Sequence, residues 1–243
     1  MGRGWPKAGC GVSVFESVFI RVHPWLNFFG MNESATGLIL RTRLLTETSL
    51  IIHWLTPERG RVATVAKGAR RPKSPFHGKL DLFYACDFSF ARSKRSDLHT
   101  LREVVVRDTH ERLRHDLGWI QQAAYAATLL EQTTETDTPL PGIFALFAGL
   151  LNFLPQHPPK PRTVFAFELK LLRELGQEPD ASETKLSAKT QALLSALVEL
   201  DWAELPKLQP TGAQVRELQQ FLHGFLIFHL GKLPKGRGAA LAT

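Results

Sequence analysis

Cysteine and methionine are scarce in this chain of 243 residues, which contains two of each. Cys10 and Cys86 are too few for the disulfide framework that stabilises small secreted proteins. No apolar run is long enough to cross a bilayer. Phosphate-binding Gly-Lys-Ser/Thr loops, nucleophile elbows and His-Glu-x-x-His zinc motifs are also absent. The sequence therefore predicts a cytoplasmic protein that is not an enzyme and has no cofactor, metal or membrane association.

Residues 1 to 30 show neither helical nor strand periodicity, although they are rich in aromatic side chains. A secretory signal needs an uninterrupted apolar stretch, and Glu16 and Arg21 interrupt the apolar residues 12 to 22. We therefore do not expect this segment to be a secretory signal. The other methionine, Met31, follows directly. Our hypothesis is that Met31 is the physiological start, and that residues 1 to 30 are a non-native or disordered extension.

Acidic residues are missing from residues 59 to 79, which contain seven Lys or Arg side chains. The charge of this stretch equals the formal net charge of the whole chain, +7. Its centre, VAKGARRPKS at 65–74, contains two chain breakers, Gly68 and Pro72. A basic loop of this kind is typical of a phosphate-binding surface. Charge alone leaves an alternative, a solvated loop that protects an edge strand from aggregation.

Five β-type runs divided by turn signals predict a small barrel in the first half of the chain. They cover residues 36–43, 50–56, 61–66, 81–92 and 101–107. Period-two alternation in the fourth run predicts a set of barrel-core side chains: Leu82, Tyr84, Cys86, Phe88 and Phe90. Residues 57–60 predict a hairpin turn. Five short strands with basic connections favour an OB-fold, which commonly binds oligonucleotides.

After residue 108 the apolar residues recur at helical spacing. Five helices are predicted, around residues 119–130, 143–154, 164–175, 187–200 and 211–231. The fold class is therefore α+β, with an all-β OB-fold domain at 31–108 followed by an all-α domain at 109–243. Residues 109 to 243 carry 13 basic and 14 acidic side chains, whereas residues 31 to 108 carry a net charge of +6. The cations available for nucleic acid lie mainly on the barrel.

Several segments resemble, in order, the RecO family of bacterial recombination mediators. They are TGLIL at 36–40, TETSLII at 46–52, LTPERGR at 55–61, VAKGARRPKS at 65–74, LDLF at 80–83, FELKLLRELGQEP at 167–179 and HLGK at 229–232. Many members have a four-cysteine zinc motif after the sixth segment. Residues 180–186 contain no cysteine here, so zinc is not carried over.

The resemblance implies a recombination mediator of the RecF pathway of DNA repair, associated with the nucleoid. Such a protein binds single-stranded and double-stranded DNA and anneals complementary strands. With its partner RecR it helps to load the recombinase RecA onto strands coated by single-strand-binding protein, whose acidic C-terminal tail it binds. Two alternatives remain open, a general OB-fold RNA-binding protein and an enzyme with an unrecognised site.

The candidate DNA contacts are the cations of the barrel. The first group is Arg59, Arg61, Lys67, Arg70, Arg71 and Lys73, and the second is Lys79, Arg92, Lys94 and Arg95. Phe83 is a candidate for base stacking, against the alternative that it packs under the helical domain. For the partner tail the candidates are Lys170 and Arg173, which we favour because a helix fixes their geometry, or Lys232, Lys235 and Arg237.

Overall fold

The computed structural model describes residues 32 to 242, so the predicted extension of residues 1 to 30 lies outside the described residues. The described residues begin with five strands: β1 (Asn32–Leu44), β2 (Leu50–Thr56), β3 (Gly60–Ala66), β4 (Ala85–Ala91) and β5 (Leu98–Asp108). They close into a barrel in the order β1-β2-β3-β5-β4. Only β3 and β5 pair in parallel among these neighbours. This OB-like barrel confirms the predicted fold of the first half.

The barrel interior is filled by aromatic and branched side chains. Trp54 and Phe88 stack with ring centroids 4.0 Å apart, and the Trp54 indole N–H donates to the Thr64 hydroxyl at 2.8 Å. Cys86 and Phe90 are also buried here, as the alternation predicts. Burial raises the pKa of the Cys86 thiol to about 12, so this cysteine is a neutral packing residue at physiological pH.

The fourth strand is shorter than predicted, because it starts at Ala85 and residues 81 to 84 form a turn. Phe83 in this turn has a φ of +67°, which breaks the period-two alternation. Leu82 therefore leaves the barrel and packs against the core between barrel and helices, while Tyr84 is half-buried at the barrel edge. The prediction of a barrel-core Leu82 was wrong for this reason.

Six α-helices follow between residues 109 and 242, and the first five are those that the sequence predicts. They are α1 (Leu117–Thr133), α2 (Pro141–Phe153), α3 (Pro161–Glu174), α4 (Ala188–Glu199), α5 (Gly212–Leu230) and α6 (Arg237–Leu241). The longest, α5, begins with a capping box between Thr211 and Gln214. It ends at Gly231, whose φ of +71° a residue with a side chain rarely adopts. The short α6 was not predicted.

The barrel and the first three helices share a hydrophobic core. Leu38, Leu40 and Leu55 contribute to it from the outer surface of β1 and β2. The helices contribute Phe147 and Phe167, whose rings meet edge to face at 6.4 Å. Helices therefore cover part of the outer surface of the barrel. This arrangement limits the cations that remain available to a ligand.

Candidate nucleic-acid interface

Two connections leave the barrel at the same end. Leu50, the first residue of β2, pairs with Leu44 on β1 and with Ala66 on β3. The β1–β2 turn (residues 45–49) and the loop of residues 67 to 84 therefore start side by side. We call residues 67 to 80 the basic loop, and we call this end of the barrel the basic end.

The basic loop is anchored on the barrel. Ala69 and Phe76 are buried and pack against the barrel core. At its start, the Gly68 N–H donates to the Ser49 hydroxyl in the β1–β2 turn at 3.2 Å. Gly68 has a φ of +67°, so glycine allows the sharp change of direction after β3. The loop is thus held at two apolar points and tied to its neighbour.

The cations of this loop point to solvent. Four of the predicted contacts are exposed, namely Lys67, Arg70, Arg71 and Lys73. None of the four forms an ion pair with an acid among residues 32 to 242. Arg70 donates from Nη1 to the Glu47 carbonyl at 2.9 Å, and Lys79 is half-buried. The structure therefore gathers four uncompensated positive charges on one surface. When such cations neutralise phosphates, the counterions bound to the nucleic acid are released, which favours binding.

Arg59 and Arg92 lie at the opposite end of the barrel, about 20 Å away along strands of seven residues. Arg59 pairs with Glu33 at 2.6 Å, and Arg92 pairs with Asp137 at 3.1 Å and with Glu33 at 3.8 Å. Carboxylates thus compensate both guanidinium groups. Lys94 and Arg95 at this end are exposed and form no ion pair with an acid among residues 32 to 242. The ten predicted contacts therefore do not form one patch, and Arg59 and Arg92 are poor phosphate ligands.

Arg61 lies in the junction between the barrel and α1. Its Nη2 donates to the Thr134 carbonyl at 2.5 Å, and burial lowers its pKa. Arg41 pairs nearby with Glu131 at 3.1 Å, a carboxyl whose pKa burial raises. Burial, followed by repulsion from neighbouring arginines, lowers the pKa of His53 to about 4. The structure corrects the prediction for Arg61, because this side chain holds the two halves together.

Phe83 is buried, with 3% of its surface exposed. Its N–H donates to the Ile39 carbonyl at 2.8 Å, and its carbonyl lies 2.8 Å from His110 Nδ1. Its ring meets that of Phe147 on α2 edge to face at 6.2 Å. A base has no access to this ring. The stacking role proposed from the sequence is therefore contradicted, and Phe83 packs under the helices.

The favoured cations for a partner tail, Lys170 and Arg173, are engaged within the protein. Lys170 donates from Nζ to the carbonyls of Val198 and Leu200, at 2.7 Å each, and so caps the end of α4. Burial lowers the pKa of Lys170. Arg173 pairs with Glu199 at 3.2 Å. These contacts argue against our preference for this helix face.

Arg237 is also a structural residue, since it is 5% exposed. Its Nε and Nη2 donate to the two oxygens of the fully buried Glu168 carboxylate, at 2.6 and 2.9 Å. The Tyr125 hydroxyl donates to the same carboxylate at 2.5 Å. The structure thus removes Arg237 from the candidates for the tail. Lys232 and Lys235 remain exposed beyond α5.

Sequence reasoning missed two cations near the basic end. Arg43, the last residue but one of β1, is exposed, and Arg102 is exposed on β5. Val65 on β3 pairs with Thr100 on β5, so Lys67 and Arg102 each lie two residues beyond this pair. Neither cation falls within the acid-free stretch of residues 59 to 79, from which the basic loop was predicted. Strand pairing, which the sequence does not show, places them near the basic end.

Residues 32 to 242 contain no helix long and apolar enough to cross a membrane. Nor does this part of the chain bring together three or more His, Cys, Asp or Glu side chains that could hold a metal ion.

Comparison with known proteins assigns both halves to one family. Residues 31–110 match the family model "Recombination protein O N terminal", and residues 114–184 match "Recombination protein O C terminal". The DNA repair protein RecO of Anaeromyxobacter sp. (strain K) is 36% identical over 59% of this chain. That of Rhodopirellula baltica is 32% identical over 59% of the chain. These two alignments span only 57% and 53% of the relatives' lengths.

A more distant relative extends the match along the chain. The DNA repair protein RecO of Alkaliphilus metalliredigens is 24% identical, and the alignment covers 81% of this chain and 93% of the relative. The residues matched by the two family models contain the barrel with its basic loop and the first three helices. Two adjacent family models and an OB-like barrel followed by helices thus agree, and the chain belongs to the RecO family.

Proposed function

We propose that this chain is a non-catalytic DNA-repair protein that binds single-stranded and double-stranded DNA through the basic end of its barrel. It anneals complementary strands, and with RecR it loads RecA onto strands coated by single-strand-binding protein. The names of the relatives, each a DNA repair protein, support the repair role. The alignments with the first relatives span little more than half of their lengths. The surface described above supports the DNA-binding part of the proposal, and the parts that involve RecR and RecA follow from the family alone.

The observation that carries the proposal is the exposed group Lys67, Arg70, Arg71 and Lys73, which no acid compensates among residues 32 to 242. Phosphate contacts of this kind carry no base information, so binding should be independent of sequence. Annealing requires two polyanionic strands to approach each other. A surface that neutralises phosphates on both strands lowers the repulsion between them.

Replacing the four loop cations with alanine tests where the phosphates bind. If each contacts one phosphate, the log–log salt dependence of single-strand binding should flatten by about three. The loss of affinity should be similar for all base compositions. Fluorescence anisotropy of labelled oligonucleotides, titrated at several salt concentrations, measures both quantities.

A matched control removes the same charge elsewhere. Its four positions are exposed cations of the helical half: Lys185, Lys189, Lys207 and Arg216. Both variants lower the net charge by the same amount, so only a local contribution distinguishes them. Equal salt dependence in the two variants would assign binding to overall charge and remove the basic loop from the site.

We propose that the acidic tail of single-strand-binding protein binds at the C-terminal end of α5. An acidic tail with an apolar terminus needs cations beside an apolar surface. Phe228 is 84% exposed and Phe225 is half-buried on the last turns of α5, and Lys232 and Lys235 follow them. Lys170 and Arg173 lack this combination, since their charges are already used inside the protein.

Titration of an acidic tail peptide into two double variants separates the clusters. Lys232→Ala/Lys235→Ala protein should lose most of the affinity, because two charge-assisted contacts are removed. Lys170→Ala/Arg173→Ala protein should retain it wherever the fold is intact, as judged by the unfolding midpoint. Full affinity in the first variant would exclude the end of α5.

A further inference from the structure

Two neighbouring leucines are exposed at the basic end. Leu44, the last residue of β1, is 67% exposed, and Leu45 in the β1–β2 turn is 46% exposed. Single exposed leucines are normal on protein surfaces. A pair where a strand passes into a turn, beside a cluster of uncompensated cations, is a different arrangement, because it combines apolar and cationic contacts on one surface.

The turn that carries these leucines is rigidly held. The Leu45 N–H donates to the Ser49 carbonyl at 3.0 Å, and the Ser49 N–H donates to the Thr46 hydroxyl at 3.1 Å. The basic loop closes over the turn, since the Arg70 N–H donates to the Thr48 carbonyl at 3.0 Å. The positions of the leucines relative to the cations are therefore set before any ligand binds, which lowers the entropic cost of binding.

The leucines lie close to the start of the basic loop. Leu44 pairs with Leu50, and Leu50 pairs with Ala66, the residue before Lys67. Two strand spacings separate Leu44 from Ala66, a distance of about 10 Å. One carboxylate, that of Glu47, belongs to this turn, against the four exposed cations of the loop. The surface therefore suits a ligand with an anionic backbone and flat apolar groups, which describes a single strand with unstacked bases.

We infer that Leu44 and Leu45 contact unstacked nucleobases of a strand whose phosphates the basic loop binds. This inference rests on the proposed DNA binding. Leucine is among the side chains that proteins insert between bases. Such contacts favour single strands over duplexes, since the bases of a duplex are paired and stacked. They also keep bases apart and ready to pair, as annealing requires.

Two probes of equal length test the inference, an oligothymidylate and an abasic strand with the same number of phosphates. The wild-type protein should bind the oligothymidylate more tightly, by a factor on the order of ten for two partly buried leucines. Leu44→Ser/Leu45→Ser protein should lose this factor and keep its affinity for the abasic strand. Its salt dependence should be unchanged, because no phosphate contact is removed.

The control is Leu117→Ser/Val105→Ser, which removes two exposed apolar side chains from α1 and β5. It should bind both probes as the wild type does. A further variant, Leu45→Trp, should strengthen binding of the oligothymidylate, with quenching of its fluorescence that the abasic strand does not produce. This gain of signal does not depend on the stability of the serine variant.

Equal binding of the two probes by the wild type, with a steep salt dependence, would overturn the inference and leave phosphate binding intact. Failure of the wild type to bind either probe would instead refute the proposed function. If the serine variant changes from dimer to monomer in sedimentation with unchanged DNA binding, the leucines cover a second copy of the chain. That outcome also overturns the inference.

Discussion

At the scale of single residues, the junction between barrel and helices depends on side chains that resemble ligand contacts in the sequence. Arg61 and Phe83 belong to this group, one as a cation and the other as an aromatic residue of a β-type run. In the structure Arg61 donates to the carbonyl of Thr134, and Phe83 is buried against Phe147. Residue type alone does not separate these roles, because burial depends on which face the helices cover.

Phe83→Ala tests the packing role directly. Removal of a buried phenylalanine side chain should lower the free energy of unfolding by about 3–5 kcal/mol. Single-strand affinity, measured well below the unfolding midpoint, should stay at the wild-type level. Urea denaturation provides the first quantity and fluorescence anisotropy the second. Phe228→Ala is the control, since its ring is 84% exposed and its loss should change stability by about 0.5 kcal/mol or less.

A loss of single-strand affinity in Phe83→Ala protein with an unchanged midpoint would contradict this role. It would mean that the ring leaves its buried position to meet a base.

At the scale of elements, a buried ion pair joins the short helix α6 to α3. Glu168 on α3 is fully buried and accepts hydrogen bonds from Arg237 and Tyr125. A buried carboxylate without its partner is costly, because neither water nor another cation replaces the lost bonds. Ala240 on α6 is also fully buried, so the helix closes the core beneath it.

Arg237→Ala should therefore lower the free energy of unfolding by about 3–5 kcal/mol. The expected cause is the uncompensated Glu168 charge, so adding Glu168→Gln should recover part of the loss. Lys235→Ala, an exposed cation two residues earlier, is the matched control and should be nearly neutral. Chemical denaturation of the four proteins at pH 7 gives the comparison. Similar effects of Arg237→Ala and Lys235→Ala would show that α6 is not held by this pair.

Regular elements were the most predictable part of the chain. The β2 strand and the positions of α1 to α5 followed from apolar periodicity, which reports the face that each element buries. The start of β4 was not predictable, because the backbone turns at Phe83 with a positive φ that no sequence pattern indicates. Nor was α6, since its five residues carry too few apolar side chains to show a period.

The candidate site was predictable only in part, for a related reason. The acid-free composition of residues 59 to 79 pointed to Lys67 and its neighbours in the basic loop. Composition cannot show that Arg59 pairs with Glu33, which lies 26 positions earlier in the chain. It cannot show either that β5 brings Arg102 towards β3. Ion pairs and strand neighbours are set by the tertiary fold, and they decide which charges remain free.

At the scale of the whole molecule, charge is divided between the two halves. The barrel domain carries a net charge of +6, whereas the helical half is close to neutral. Within the barrel, carboxylates compensate Arg59 and Arg92 at one end, and the basic loop leaves four cations uncompensated at the other. A polyanion should therefore approach the basic end first.

The most direct test of this view is the rate at which complementary oligonucleotides anneal, with and without a coat of single-strand-binding protein. The wild type and the helical control with four charges removed should accelerate annealing of bare and coated strands. The protein lacking Lys67, Arg70, Arg71 and Lys73 should accelerate neither. Undiminished annealing by this variant, with its fold intact, would contradict the assignment of strand binding to the basic end.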